Sequence, residues 1–340
     1  MNIEVVRTKH ELEAIKTEWN ALLARSASQA PFLRHEYMTT WWNTLGGGEW
    51  TQGELYVVLG RDAEKKLVGI APLFLTKNHE GETTLMLLGS IEISDFLDVI
   101  TPQDQISKFI HVLLEHLNDP TAPPWQVLDM YNILETSSTL LEIKRWAEQN
   151  GWHYTQERLK PAPYIPLPQD WEGYLANLDK KQRHELRRKM RQAAGYPLPT
   201  KWYIVTEEET LNNEMESFLS LMAQDPHKAD FLTEAMREQM VTLMRAAFQA
   251  GWLLLIFLQV GQEKAAGYLN FDFNNRIWVY NSGIDFRFRD LSPGWVLLGH
   301  LMEWAIEQGR EEFDFMRGDE SYKYRLGGIN RFVVRATSRR

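Results

Sequence analysis

The chain has 340 residues, of which 44% are hydrophobic and 24% charged, a composition typical of globular proteins and enough length for two domains. A formal net charge of −9 argues against general nucleic-acid binding, and the lack of Cys excludes disulfides, thiol nucleophiles and Cys-ligated metals. No apolar run approaches the roughly 18 residues of a membrane helix. Residues 1–6 have the pattern of a strand and not of a secretion signal, so we expect a cytoplasmic protein.

The first half of the chain is predicted to combine an antiparallel meander with alternating helices and strands. The chain begins with a strand at residues 3–6, followed by an amphipathic helix at 10–25 and a short helix with Trp41 and Trp42. We favour core packing for both Trp side chains, with a cleft for a sugar or acyl group as the alternative. The meander strands are predicted at residues 55–59, 67–75 and 84–88. Helices follow at residues 104–117 and 138–150, and strands at 125–130 and 152–155.

The second half repeats this order of elements. Its strands are predicted at residues 202–205, 252–260, 265–273 and 277–282, and its helices at 207–223 and 233–249. Leu55 and Gly69 of the first meander stand 198 residues before Leu253 and Gly267 of the second. The chain is therefore predicted to contain two copies of one α/β (α+β) fold, each a mixed, largely antiparallel sheet flanked by helices.

A proline-rich segment and a basic helix lie between the halves. Residues 161–168 are suited to an extended linker, and seven of the twelve residues at 180–191 are Lys or Arg. We therefore predict domains at 1–160 and 199–340, with 161–198 as linker and basic helix. Like charges one helical turn apart repel, so we expect an anionic partner for this helix. The predicted substrate-binding residues are Arg183, Arg187 and Arg188. The alternatives for the anion are coenzyme A pyrophosphate, a nucleotide- or lipid-linked sugar, a membrane surface, or an acidic face of the protein itself.

The start of a helix predicted at residues 292–308 has the properties of an anion site. Ser292 is suited to be its N-cap and Pro293 its first helical residue. The free amides of the first turn and the helix dipole favour a bound anion. The predicted donor-binding residues are Ser292, Gly294, Arg287 and Arg289.

Titratable side chains cluster around a short strand predicted at residues 313–316. Asp314 lies in this strand between two aromatic residues, and the chain breaks at Gly318 before Tyr322 and Lys323. Ligands of open α/β sheets bind beyond the carboxyl ends of strands, which favours a site here. The alternative is that Asp314 faces solvent and that Tyr322 and Lys323 lie on an ordinary helix.

Four further polar residues are candidates for the same site. Asp272 lies on a predicted strand and is the second candidate base beside Asp314. Tyr280, Asp285 and Arg317 are predicted to contact substrate, although Asp285 is equally suited to cap a turn. The nine His residues form no metal-binding motif, so no metal is expected.

These motifs resemble a known family. The resemblance rests on Ser292-Pro293-Gly294, Phe313-Asp314-Phe315, Gly318 and Tyr322-Lys323. In this spacing they look like the C-terminal signature of GNAT-superfamily proteins of the cellulose-biosynthesis-associated acetyltransferase-like family. The end of the motif, from Tyr322 to Gly328, is also similar to the closing motif of Fem-type aminoacyl transferases. The glycine-rich Gln/Arg-x-x-Gly-x-Gly/Ala loop of ordinary acyl-CoA-binding GNAT domains is absent, which leaves the bound anion open.

The resemblance implies two tandem GNAT-like domains and an acyltransferase that is active through the second. It implies acetyl-CoA or another acyl-CoA as donor, and as acceptor a sugar or amino-bearing intermediate, small or lipid-linked, of cell-surface polysaccharide or envelope biosynthesis. Asp314 or Asp272 would be the base, Tyr322 or Tyr280 the acid, and Lys323 would orient the charged part of the substrate. Contact with the envelope-biosynthesis machinery is expected, and DNA binding is not. Two alternatives stay open: a Fem-like transferase that uses aminoacyl-tRNA, and a non-catalytic polysaccharide assembly factor.

Overall fold

A computed structural model describes all residues, 1–340, and divides them into two compact units. The first unit combines Met1–Lys160 with Arg331–Arg340, and the second is Pro161–Asn330. Each unit contains one mixed, largely antiparallel sheet with helices packed against it, as predicted. No helix combines the length and apolarity that crossing a membrane requires.

The first unit is built on a seven-stranded sheet of order β1-β2-β3-β4-β5-β13-β6. Numbered along the chain, its strands are β1 Asn2–Val6, β2 Glu54–Arg61, β3 Leu67–Lys77, β4 Thr83–Leu87, β5 Val127–Leu134, β6 His153–Pro161 and β13 Phe332–Arg339. Its helices are α1 Lys9–Ala14, α2 Lys16–Leu23, α3 His35–Gly48, α4 Ile106–Asn118 and α5 Ser138–Asn150. Strands β4 and β5 run parallel, while β1 to β4 form the predicted antiparallel meander with its added first strand.

Two local features of the first unit refine the sequence prediction. The helix expected at residues 10–25 is two helices, because Ile15 leaves helical geometry with φ −96° and ψ 5°. Trp41 is fully buried and Trp42 is 9% exposed, and both rings pack against Phe74. Core packing is therefore confirmed for the two Trp side chains.

The second unit has a six-stranded sheet of order β7-β12-β11-β10-β9-β8. Its strands are β7 Tyr164–Pro166, β8 Thr200–Ile204, β9 Leu253–Val260, β10 Glu263–Phe273, β11 Arg276–Ile284 and β12 Glu312–Asp314. Its helices are α6 Trp171–Asn177, α7 Lys180–Ala194, α8 Glu208–Met222, α9 Pro226–Phe231, α10 Glu234–Gln249, α11 Pro293–Glu307 and α12 Ser321–Arg325. Only β11 and β12 are parallel neighbours. From β8 to α12 the order of strands and helices repeats that from β1 to α5 of the first unit, as predicted.

The proline-rich segment is an edge strand of the second unit and not a free linker. Strand β7 pairs antiparallel with β12, and the carbonyl oxygens of Pro161 and Pro163 accept hydrogen bonds from the amides of Gly318 and Phe315. Pro has no backbone N–H to donate to a neighbouring strand, so this segment fits only at the edge of a sheet, where a strand forms hydrogen bonds on one side only. The segment thereby holds the loop that follows β12.

The basic helix α7 also belongs to the second unit, although the predicted domain began only at residue 199. Its buried Leu186 packs against α11, with Leu186 Cδ1 3.1 Å from the place where a Cβ at Gly299 would lie. Since Gly299 has no side chain, the two helices approach closely. The core beneath α11 joins it to the sheet through buried side chains of β10, β11 and β12.

The last strand lies in the first unit, not in the predicted domain 199–340. Strand β13 pairs antiparallel with β5, so it completes the sheet that begins at residue 2. Arg335 on β13 forms two hydrogen bonds of 2.8 and 2.9 Å with the carboxylate of Asp129 on β5, whose side chain is 1% exposed. A buried charge pair therefore fixes the position of this strand.

Candidate functional site

A gap opens between two parallel strands of the second unit. Residues 276–278 of β11 pair with 312–314 of β12, and β12 then ends while β11 continues to Ile284. The pairing register between β10 and β11 shifts at Tyr280, which is skipped between Asn281 and Val279. From residue 279 onward, one edge of β11 has no strand beside it. Lys228 of α9 contacts this edge, and Gly294 of α11 lies against Ile284 near its end.

The start of α11 lies beside the gap and has no side-chain cap. Ser292 and Pro293 occupy the predicted N-cap and first helical positions. The Ser292 backbone is left-handed, with φ 52°, and its hydroxyl does not cap the helix but accepts a hydrogen bond from Lys189 of α7. The first turn of α11 therefore lacks a side-chain cap and lies beside the Lys189 ammonium, which also pairs with Glu185 at 3.5 Å. This arrangement attracts an anion through both the helix dipole and the Lys189 charge.

Two tyrosines lie below this helix start. Tyr268 on β10 is 5% exposed, and its hydroxyl is 3.3 Å from the place that a Cβ at Gly294 would take. Tyr322 on α12 packs edge-on against Phe315, with ring centroids 5.9 Å apart. Burial raises the pKa of both phenols, so at neutral pH both keep the proton that a hydrogen-bond donor needs.

Gly294 makes room for protein side chains. A Cβ there would lie 2.8 Å from Ile284 Cδ1, closer than packed atoms approach. A β-branched residue at 294 would therefore disturb the core as well as any ligand, so this position is a poor test of ligand approach.

The strand end that carries Asp314 is closed by Lys323. Asp314 is fully buried, and its Oδ1 accepts a hydrogen bond of 2.8 Å from the amide of Met316, which has a left-handed φ of 62°. Lys323, with 3% side-chain exposure, donates to the carbonyl oxygens of Met316 and Arg317 at 3.2 and 2.9 Å. Its ammonium also pairs with Glu320 at 2.9 Å. Lys323 thus reaches back over the end of β12 and holds the following loop.

Lys228 is a residue of the gap that sequence reasoning missed. It lies on α9, and its ammonium donates to Asn281 Oδ1 at 3.0 Å and to the Ser282 carbonyl oxygen at 2.6 Å. Burial lowers the pKa of Lys228, opposed by the nearby carboxylates of Asp225 and Glu320. Lys228 therefore binds the edge of β11 that lacks a neighbouring strand. The Asp225-Pro226 pair, an N-cap followed by a first-turn Pro, was the sequence signal for α9.

Two predicted carboxylates are committed to other contacts. Asp272 forms a two-point ion pair with Arg310, at 2.8 and 2.7 Å, near the beginning of β11. Asp285 caps the 3-10 helix Phe286–Leu291 and binds Arg287, whose hydrogen bonds lower the pKa of the Asp285 carboxyl. The structure does not bring either carboxylate to the uncapped start of α11, and turn-capping is the observed geometry for Asp285.

The predicted arginines are also distributed differently from expectation. Arg287 pairs with Asp285 and Glu263, and Arg289 is exposed with Asp290 4.0 Å away. The cation at the start of α11 is therefore Lys189. On α7 the three predicted residues make separate contacts: Arg187 with Glu172 at 2.5 Å, Arg188 with Glu185 at 2.9 Å, and Arg183 with the Leu175 carbonyl oxygen at 3.4 Å.

The second unit carries a recognisable domain signature. Residues 180–324 match the family model of the acetyltransferase (GNAT) domain. This range contains the uncapped helix start, the gap beside β11, and the loop that Lys323 closes. The finer resemblance to the cellulose-biosynthesis-associated family stays a prediction.

Solved structures share the fold over nearly the full length of both chains. FemX is 11% identical, with a TM-score of 0.66 over 99% of this chain and 97% of that one. A conserved protein of unknown function from Bacteroides thetaiotaomicron VPI-5482 is 12% identical, with a TM-score of 0.62 over 100% of both chains. The C-terminal domain of a putative lysylphosphatidylglycerol synthetase from Agrobacterium fabrum is 9% identical, with a TM-score of 0.57 over 96% and 92%. No curated protein matches the chain significantly. Identities this low establish a common fold only.

Proposed function

We propose that residues 161–330 form an acyltransferase whose donor is an acyl-CoA or a similar phosphate-bearing thioester. The observation that carries this proposal is the uncapped start of α11, with Lys189 on the Ser292 hydroxyl, next to the open edge of β11. An uncapped helix start and one ammonium suit a phosphate group. The part of β11 beyond Trp278 and before the Ser282 carbonyl oxygen, which Lys228 occupies, is the proposed place for an extended acyl-bearing arm. The match to a GNAT domain supports the same assignment.

The reaction is direct transfer. An amine or hydroxyl of the acceptor attacks the thioester carbonyl carbon, a new C–N or C–O bond forms, and the C–S bond breaks. Asp314, at the end of β12, is our candidate to take the proton lost by the attacking group. Tyr322 is the candidate to protonate the leaving sulfur, because its raised pKa keeps it a donor at neutral pH. Asp272 and Tyr280 are weaker candidates, since Arg310 already holds Asp272 and the Tyr280 ring packs on Phe271.

For the acceptor we propose a sugar or amino-bearing intermediate of cell-surface polysaccharide or envelope biosynthesis, modified in the cytoplasm. The support is the resemblance of the motifs at residues 292–328 to the cellulose-biosynthesis-associated family. Lys323 is proposed to act on the substrate mainly by fixing the loop at 316–318.

Calorimetric titration with acetyl-CoA tests the donor site. Lys189→Met should weaken binding roughly 10-fold or more, the scale for losing a hydrogen bond to a charged group. Lys181→Met is the matched control, because Lys181 is exposed on the same helix and does not contact Ser292. The proposal is wrong if the unaltered protein does not bind acetyl-CoA, or if both substitutions weaken binding equally.

A Fem-like transferase that uses aminoacyl-tRNA is the second candidate. The observation that favours it is the row of exposed cations on α7, combined with the fold shared with FemX. If acetyl-CoA fails to bind and an aminoacyl-tRNA binds with steep salt dependence, this candidate replaces the first. Binding of neither donor would leave the non-catalytic assembly factor.

A further inference from the structure

Helix α7 presents a basic outer face with exposed apolar side chains at its end. Leu186 and Ala193 are buried on the inner side, and Lys189 is turned toward Ser292. These contacts fix which side of α7 faces outward. We call the exposed set the α7 platform; it consists of Lys180, Lys181, Arg187, Arg188, Arg191, Tyr196 and Leu198.

The positive charge of the platform is largely uncompensated. Residues 180–200 contain seven Lys or Arg and one Glu, in a chain whose net charge is −9. Lys180, Lys181 and Arg191 have no carboxylate within ion-pair distance. Arg187 and Arg188 do pair with carboxylates, but exposed pairs contribute little and exchange readily for other anions. The platform therefore attracts an external anion.

Apolar side chains protrude beside these cations. Tyr196 is 37% exposed and Leu198 51% exposed, in the segment directly after α7. Phe286, 53% exposed, lies in the 3-10 helix that α7 contacts through a hydrogen bond from Gln192 to the Asp290 carbonyl oxygen. Two of the most exposed large apolar side chains of the second unit thus directly follow the basic helix, and a third lies in the 3-10 helix that contacts it. Such a grouping marks an interaction surface.

We propose that the α7 platform docks the protein peripherally on a membrane surface rich in anionic lipid. The cations face lipid phosphates, while Tyr196, Leu198 and Phe286 enter the interfacial layer. A nucleic acid explains the cations but not Leu198, since an aliphatic side chain neither stacks on bases nor binds phosphate. A flat bilayer also needs no groove.

Docking would present the donor site to lipid-linked acceptors. Lys189 belongs to the same helix as the platform and touches the start of α11. The docking itself does not depend on the proposed transferase activity, so it can fail or succeed separately.

Co-sedimentation of the full chain with vesicles tests this proposal. We expect the protein to bind phosphatidylcholine vesicles that contain phosphatidylglycerol, and this binding should weaken as the salt concentration rises. Vesicles of phosphatidylcholine alone should bind little protein. The double variant Lys180→Gln, Lys181→Gln should bind roughly 25-fold more weakly, at about fivefold per charge. Leu198→Ser should weaken binding while the salt dependence is unchanged.

A matched control distinguishes docking through the α7 platform from an effect of the protein's overall charge. Lys65→Gln with Lys66→Gln removes an equal charge from an exposed turn of the first unit and should leave vesicle binding unchanged. All substituted side chains are exposed, so melting temperatures should not move. The proposal is overturned if anionic vesicles do not bind the protein, if the two double variants behave alike, or if the platform binds a single-stranded RNA oligonucleotide and not the vesicles.

Discussion

Lys323 shows how a single buried charge can be stabilised by backbone groups. Its ammonium contacts the carbonyl oxygens of Met316, Arg317 and Gly318 and the carboxylate of Glu320. A buried ammonium without such partners would be costly. The sequence placed Lys323 among the candidate site residues, after the break at Gly318. It did not predict that backbone carbonyl oxygens would be the partners.

Lys323→Met should therefore affect both folding and turnover. We expect a loss of ~1–3 kcal/mol in the free energy of unfolding, because several buried acceptors lose their donor. Turnover should fall because the loop at 316–318 loosens next to Asp314. Thermal melting and a transfer assay measure the two effects. Glu320→Gln is the control: it removes one partner that is 57% exposed and should leave the fold nearly intact. Unchanged melting of Lys323→Met would contradict the structural role.

Local sequence signals predicted which residues lie in the site, but not which side chains those residues contact. Ser292 and Pro293 were predicted at the start of α11, because capping depends on neighbouring residues. The Lys189 contact with Ser292 joins residues 103 positions apart and depends on how α7 packs on α11. Capping and helix periodicity give no information about such a contact. Arg287 and Arg289 were chosen for nearness in sequence, but their side chains point to other partners.

At the scale of elements, α9 shows what a short helix can do for a strand. It has six residues, too few to be stable alone, and no apolar periodicity predicted it. Asp225 caps it and accepts hydrogen bonds from the amides of His227 and Lys228. The helix in turn places Lys228 against the open edge of β11. The edge strand β7 was missed for a related reason, since four Pro in eight residues indicate a linker unless a sheet edge is available.

Lys228→Met should loosen the open edge of β11 without unfolding the unit. We expect the free energy of unfolding to fall by ~1–3 kcal/mol, the scale for acceptors that lose a charged hydrogen-bond donor. Backbone amide exchange should quicken at residues 281–284 and change little in the paired part at 276–278. Lys264→Met is the matched control, because Lys264 lies on β10 and its ammonium binds two side chains of α8, the Glu214 carboxylate and the Ser217 hydroxyl. Equal exchange at 281–284 in both variants would show that Lys228 does not hold this edge.

At the scale of the whole molecule, the first unit depends on the last residues of the chain. Strand β13 lies between β5 and β6, and its Val333, Val334 and Ala336 are buried. The sequence at residues 331–335 has the pattern of a strand, since an apolar run follows Gly327 and Gly328. It could not predict which sheet would accept that strand, because strand pairing over about 200 residues is decided by packing and not by local pattern.

Truncation after Asn330 should therefore destabilise the first unit, whose other residues are all before 161. The truncated protein loses the apolar side chains of β13 and leaves the buried Asp129 without Arg335. Breaking such a pair from one side costs ~3–5 kcal/mol, because the remaining charge stays buried. Amide exchange in the full chain and in the truncated chain measures this: protection should fall throughout residues 1–160 and persist in 161–330. The double variant Asp129→Asn, Arg335→Met in the full-length chain removes both charges and keeps β13, so it should be clearly more stable than Arg335→Met alone. If the truncated protein keeps full protection in residues 1–160, β13 is dispensable and the pair with Asp129 does not hold the sheet together.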